Sequence, residues 1–113
     1  MKTVKKIIPA LIMLLGLIHL SFAFPLHDLE IDSLLFIGAG LAIVFAGAIN
    51  LFAVMNPQSM VIKVSSLICN AIMFSLFVIG TSILIVPVVF AGIILFLVST
   101  LFAISDLSTS KAA

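Results

Sequence analysis

The sequence predicts an all-α integral membrane protein, a four-helix transmembrane bundle with both termini on the same, cytoplasmic side. Three observations predict it. Hydrophobic residues make up 65% of the 113-residue chain and charged ones 8%, against about 25% charged in soluble domains, which excludes a water-soluble globule. The apolar runs are continuous over helical lengths of about 20 residues, enough to cross a bilayer. A transmembrane barrel would instead need strands of alternating apolar and polar residues. Finally, threading the chain through four spans puts all five of its lysines on one face of the membrane.

The whole chain, residues 1–113, reads as a single transmembrane domain with spans at about 7–26, 34–55, 60–79 and 83–104. Lys2, Lys5 and Lys6 form a positive flank before Ile7 to Leu26, which holds no residue charged at neutral pH. Pro9 falls in the first turn of that span, where its missing N–H breaks no helical bond. The same segment also fits a secretory signal peptide, with small residues at Ser21 and Ala23 after an apolar core. We expect it to be retained as the first span.

Pro25 to Ser33 is a short connection that holds His27, Asp28, Glu30 and Asp32, three of the four acidic residues of the chain. Asp32 or Ser33 is expected to cap the second span, Leu34 to Met55, because a side-chain oxygen satisfies a free N–H of the first turn and a negative charge suits that end of the dipole. Within this span Gly38, Ala42, Ala46 and Asn50 recur at every fourth position, and Ala39, Ile43 and Gly47 form the adjoining ridge. Small side chains let helix backbones approach closely in lipid. The other three spans are therefore expected to pack around the second, with Gly38, Ala42, Ala46 and Gly47 as the packing residues.

Asn56-Pro57-Gln58-Ser59 starts a turn, with Ser59 placed to cap the third span. Val64 to Ser105 then carries no ionisable side chain except Cys69. As a single helix this stretch would be about 63 Å long at 1.5 Å per residue, so it must fold back once. Gly80-Thr81-Ser82 supplies the turn. Pro87 is expected just beyond the first turn of the fourth span, with a modest kink there, and Ser105 to Ala113 is expected to be loosely ordered.

By the positive-inside rule, the termini and the 56–59 turn face the cytoplasm and the acidic connection 25–33 lies outside, as in a bacterial inner membrane. Lys63 can snorkel to the headgroups. The two halves of the chain show no repeat in their small or polar residues.

Intramembrane polar residues are the candidates for chemistry. His19 is the one side chain in a span that titrates near neutral pH, so a proton relay or a metal or haem ligand has to be weighed against a neutral histidine tying two helices together. A lone histidine without a second ligand at ligand spacing favours the structural role. Asn50, Ser66 and Asn70 are the other costly groups. With each span centred in the bilayer, His19 lies on the outer side by about 5 Å, Asn70 near the middle and Asn50 on the cytoplasmic side by about 8 Å, so all three cannot form one compact site. Asn70 can pair directly either with His19 or with Asn50, and Ser66 stacks one turn before Asn70 on the same face.

The acidic connection could converge on a divalent cation, but it lacks a glycine turn or a known ligand spacing, and a solvated loop is expected. The chain has no arginine and no nucleophile beside a histidine and an acid, so neither an enzymatic site, a cofactor nor a nucleic-acid surface is expected. Cys69 reads as a small buried apolar side chain. In size alone the chain is similar to the small multidrug resistance exporters. Their membrane-embedded glutamate and lining Trp and Tyr have no counterpart here, since the first span has no carboxylate and the chain has neither aromatic.

The function these residues imply is that of a small structural or accessory membrane protein, which contacts the lipid bilayer and associates by helix packing with itself as a homo-oligomer or with a larger membrane partner. The alternative is a small transporter or channel with a polar path through His19, Asn70 and Asn50.

Overall fold

The computed structural model describes residues 2–22, 31–83 and 85–112, and these form four α-helices. They are α1 (Lys2–Ser21), α2 (Ile31–Met55), α3 (Met60–Gly80) and α4 (Pro87–Ala112). All four are long and apolar enough to span a membrane. Residues 23–30, including His27, Asp28 and Glu30, lie outside the described residues.

Local chemistry sets the ends of the helices. Ser59 caps α3 in an extended conformation, its hydroxyl accepting from the Ile62 N–H at 3.3 Å. The chain reaches that cap through a turn in which Asn56 donates both its backbone N–H and its side-chain Nδ2 to the Phe52 carbonyl, each at 2.9 Å. At the far end of α3, the Thr81 and Ser82 hydroxyls donate to the carbonyls of Val78 and Ile79 at 2.6 and 2.7 Å. These bonds close carbonyls that have no partner within the helix.

Several boundaries differ from the sequence expectation. α1 runs Lys2–Ser21 and not 7–26, so Pro9 lies inside the helix and not in its first turn. α2 starts at Ile31, so Asp32 and Ser33 lie inside its first turn and not at the cap; the Asp32 carboxylate still suits the positive end of the dipole. α4 starts at Pro87 instead of Ile83, and the proline produces no mid-helix kink. The reason is that proline disfavours the helical conformation at Val86 and carries no N–H for an upstream turn, which makes it a good first residue. Finally, α4 continues to Ala112, where a loose tail was expected.

The helices surround a common core, with each packed on two neighbours. α1 and α2 form one tight antiparallel pair and α3 and α4 the other; α2 meets α3, and α1 meets α4. The second span is therefore not a hub. The core is built from Ile12 and Phe96, both 0% exposed, with Ile43, Leu15 and Met73 around them. The rest of the apolar surface points outward, as expected where the solvent is lipid.

Glycines set how close the α1/α2 pair comes. A Cβ on Gly16 would lie 2.8 Å from the backbone nitrogen of Val44 and 2.9 Å from the carbonyl oxygen of Gly40; one on Gly47 would lie 2.9 Å from the Met13 nitrogen. At such separations two backbones touch directly, and only hydrogen fits between them. The inward face of α2 is therefore Gly40, Ile43, Ala46, Gly47 and Asn50. Of the four expected packing residues, Ala46 and Gly47 are buried within the bundle, whereas Gly38 and Ala42 are exposed. Nothing lies within 4 Å of a Cβ placed on Gly38. A four-residue repeat drifts around a helix of 3.6 residues per turn, so Gly38 has rotated out of the interface that Ala46 occupies.

Candidate functional site

The polar residues of α2 and α3 meet in the bundle interior. Asn50 and Asn70 form a reciprocal amide pair: Asn50 Nδ2 donates to Asn70 Oδ1 at 2.7 Å, and Asn70 Nδ2 donates to Asn50 Oδ1 at 2.6 Å. Ser66 donates its hydroxyl to the same Asn50 Oδ1 at 2.6 Å and accepts a longer contact from Asn70 Nδ2 at 3.4 Å. The second N–H of Asn50 goes to the Ala46 carbonyl at 2.9 Å. Asn70 is fully buried, and Asn50 and Ser66 nearly so.

The helix spacing explains the cluster. Ser66 and Asn70 are one turn apart on α3, so both face α2. Asn50 lies at the end of the inward stripe of α2 that also carries Ile43, Ala46 and Gly47. Every amide N–H in the group has a partner, and the group is uncharged. It is a lock between two helices, and all its donors are committed.

His19 is elsewhere. Its ring stacks on Phe36 of α2, centroids 4.0 Å apart and planes within 12°. Pro9 of α1 lies beside Gly47, level with the asparagine cluster; His19 is ten residues further along the helix, roughly 15 Å away at 1.5 Å per residue. Its Nε2 is buried and has no hydrogen-bond partner. The structure thus joins Asn50, Ser66 and Asn70 and leaves His19 outside the group.

Two features were not singled out from the sequence. Ser99 on α4 is 5% exposed, and its Oγ also has no partner. Lys5 of α1 and Asp106 of α4 form an ion pair at 2.5 Å that joins the two ends of the chain. Asp106 is the one acid outside residues 28–32. Its position at the lysine-bearing end was the available signal for this pair; nothing in the apolar run around Ser99 marked that residue.

Between these features lies a small pocket of about 30 Å³ to which all four helices contribute. Asn50, Ser66 and Ser99 line it with Lys5, Lys63 and Asp106. Beyond the asparagine cluster, the core residues Ile12, Ile43, Met73 and Phe96 pack together. Among the described residues, no group of three His, Cys, Asp or Glu side chains converges as a metal site.

Compared with known protein families, with curated proteins and with solved structures, the chain matches none of them.

Proposed function

We propose that this protein is a structural or accessory component of the plasma membrane, bacterial inner membrane in type, that works by packing its helices against a second copy or a larger membrane partner and not by catalysis. In this reading the lysine-bearing end faces the cytoplasm and the 25–33 connection faces outside, as the distribution of lysines favours. The observation that carries the proposal is the uncovered face of α2. Gly38 and Ala42 lie one turn apart on the outside of the bundle, and the space above Gly38 is open. Exposed Leu34 and Leu41 flank them. A small-residue hollow between leucines admits another helix at close range, where dispersion and backbone contacts supply the attraction.

The transport reading has less support. A path through His19, Asn70 and Asn50 would have to pass an amide pair with no free N–H and a packed apolar layer before it reached His19.

The test is a pair of leucine substitutions on α2. Ala42→Leu fills the outward hollow without touching the fold, and it should weaken association by about tenfold, measured by energy transfer between labelled copies in bilayers. Ala46→Leu, at a position 1% exposed, should instead disrupt the bundle. Unchanged energy transfer in a well-folded Ala42→Leu protein, together with an unchanged set of co-purifying membrane proteins, would refute the proposal.

A further inference from the structure

The four contacts between neighbouring helices are closed by different means. α1 and α2 touch backbone to backbone at Gly16 and Gly47, α3 and α4 bring the Phe77 ring directly over Gly92, and the asparagine cluster bonds α2 to α3. α1 meets α4 least extensively. At the lysine-bearing end this last seam is bridged by the Lys5–Asp106 ion pair, and the Lys5 ammonium also stands 5.9 Å from the centre of the Phe102 ring. The two charged side chains are 27% and 33% exposed, so the pair sits at the surface and not in the core. Lys5, Phe102 and Asp106 all line the small pocket.

Ser99 lines the same pocket, seven residues before Asp106 on α4. A hydroxyl inside a helix commonly returns to a carbonyl one turn back, as Thr100 does to Phe96 at 2.7 Å and Ser75 to Ala71 at 2.9 Å. The Ser99 hydroxyl is buried and makes no such bond. A closed seam therefore leaves an unsatisfied polar group inside the bundle, and letting water in satisfies it. The closed pocket, about 30 Å³, has room for one or two waters and nothing larger. Deeper still, Ile12 and Phe96 are both fully buried in the apolar core, so an opening ends there.

We propose that the seam between α1 and α4 is a water gate latched by Lys5 and Asp106. At the lysine-bearing end the two helical hairpins part, water enters as far as Ser99, and the ion pair draws the helices shut again. The bond that Ser99 gains from water offsets part of the packing lost on opening. A partly exposed ion pair is itself a weak tie, so the open state is visited regularly by local opening of the bundle. The asparagine cluster lies on the opposite seam, where it stays paired and acts as the hinge side. The gate is separate from the Gly38–Ala42 face of α2, so either can exist without the other.

Thiol labelling of the full chain in mild-detergent micelles tests the gate. In a Cys69→Ala background, Ser99→Cys is treated with 2-(trimethylammonium)ethyl methanethiosulfonate, which is too large for the closed pocket and reacts only with a thiolate, a species that forms where water reaches. Position 99 should react slowly but to completion. Asp106→Asn and Lys5→Gln should each speed the reaction by about two- to fivefold, the shift that loss of one partly exposed ion pair gives an opening equilibrium. Lys5→Asp combined with Asp106→Lys rebuilds the pair with reversed signs and should slow the reaction back towards the original rate, which a bundle merely loosened by substitution cannot do. Ile43→Cys, at a core position 2% exposed, should stay protected in every background. No reaction at position 99, a rate indifferent to Asp106→Asn and Lys5→Gln, no slowing on charge exchange, or equal acceleration at position 43 would each overturn the gate. Energy transfer between Asp106→Asn copies should match that of the unmodified protein, which separates failure of the gate from failure of the association proposal.

Discussion

The Asn50–Asn70 pair allows a quantitative test of what holds α2 to α3. Asn70→Ala removes both reciprocal bonds and the long contact to Ser66, while Asn50 keeps the Ala46 carbonyl and the Ser66 hydroxyl as partners. Interhelical bonds in membranes average about 0.6 kcal/mol each, so the two short bonds account for about 1.2 kcal/mol. The cavity left at a fully buried site brings the total to about 2 kcal/mol. Asn50→Ala removes the same two bonds and the Ser66 bond, and it leaves Asn70 Oδ1 buried without a donor, so it should cost somewhat more, about 2 to 3 kcal/mol. Because both single substitutions lose the same reciprocal pair, the double substitution should cost about 1 to 2 kcal/mol less than their sum. The chain has no Trp or Tyr, so unfolding by dodecyl sulfate in mild-detergent micelles is best followed by circular dichroism. Ser75→Ala is the control: Ser75 is exposed, bonds only to the Ala71 carbonyl of its own helix, and should shift stability by less than about 0.5 kcal/mol. A coupling below about 0.3 kcal/mol between positions 50 and 70 would refute the reciprocal pair as the link between the helices.

Two further predictions concern the half of the bundle away from the lysine-bearing end. Gly16→Ala and Gly38→Ala change the same atom with opposite results. The first drives a methyl into the backbone of α2 and should destabilise the protein by about 1 to 3 kcal/mol; the second meets nothing and should stabilise it by about 0.5 to 1 kcal/mol through helix propensity. Matching effects in the same unfolding assay would contradict the close α1/α2 approach. His19→Leu removes a buried nitrogen that has no partner and also loses the stack on Phe36. These terms nearly cancel, so stability should change by no more than about 1 kcal/mol. A protein in liposomes that moved protons at a rate abolished by His19→Leu would put the transport reading ahead of the packing one.

Some parts of the structure depend on one-dimensional properties of the chain, and these were legible directly. Apolar length against bilayer thickness determined that there are four helices. The turns at Asn56 to Ser59 and Gly80 to Ser82, with Ser59 as the cap of α3, followed from side chains that bond their own neighbourhood. Pro87 was seen, but its effect was placed inside the helix, although the same chemistry makes it a helix start.

Rotation of each helix about its axis was not legible. In water, the polar face of a helix shows which side is out, but in lipid the outside is as apolar as the inside, so α2 carries no readable stripe. The tertiary structure alone decided that Ala46 turns inward and Gly38 outward, that Asn50 meets Asn70 while His19 stands apart on Phe36, and that Ser99 lines a pocket whose mouth carries Lys5 and Asp106. Sequence determined how many times the chain can cross a membrane, because that is set by length and hydrocarbon thickness. Which residues then touch was decided by shape, by how closely glycine lets one backbone approach another.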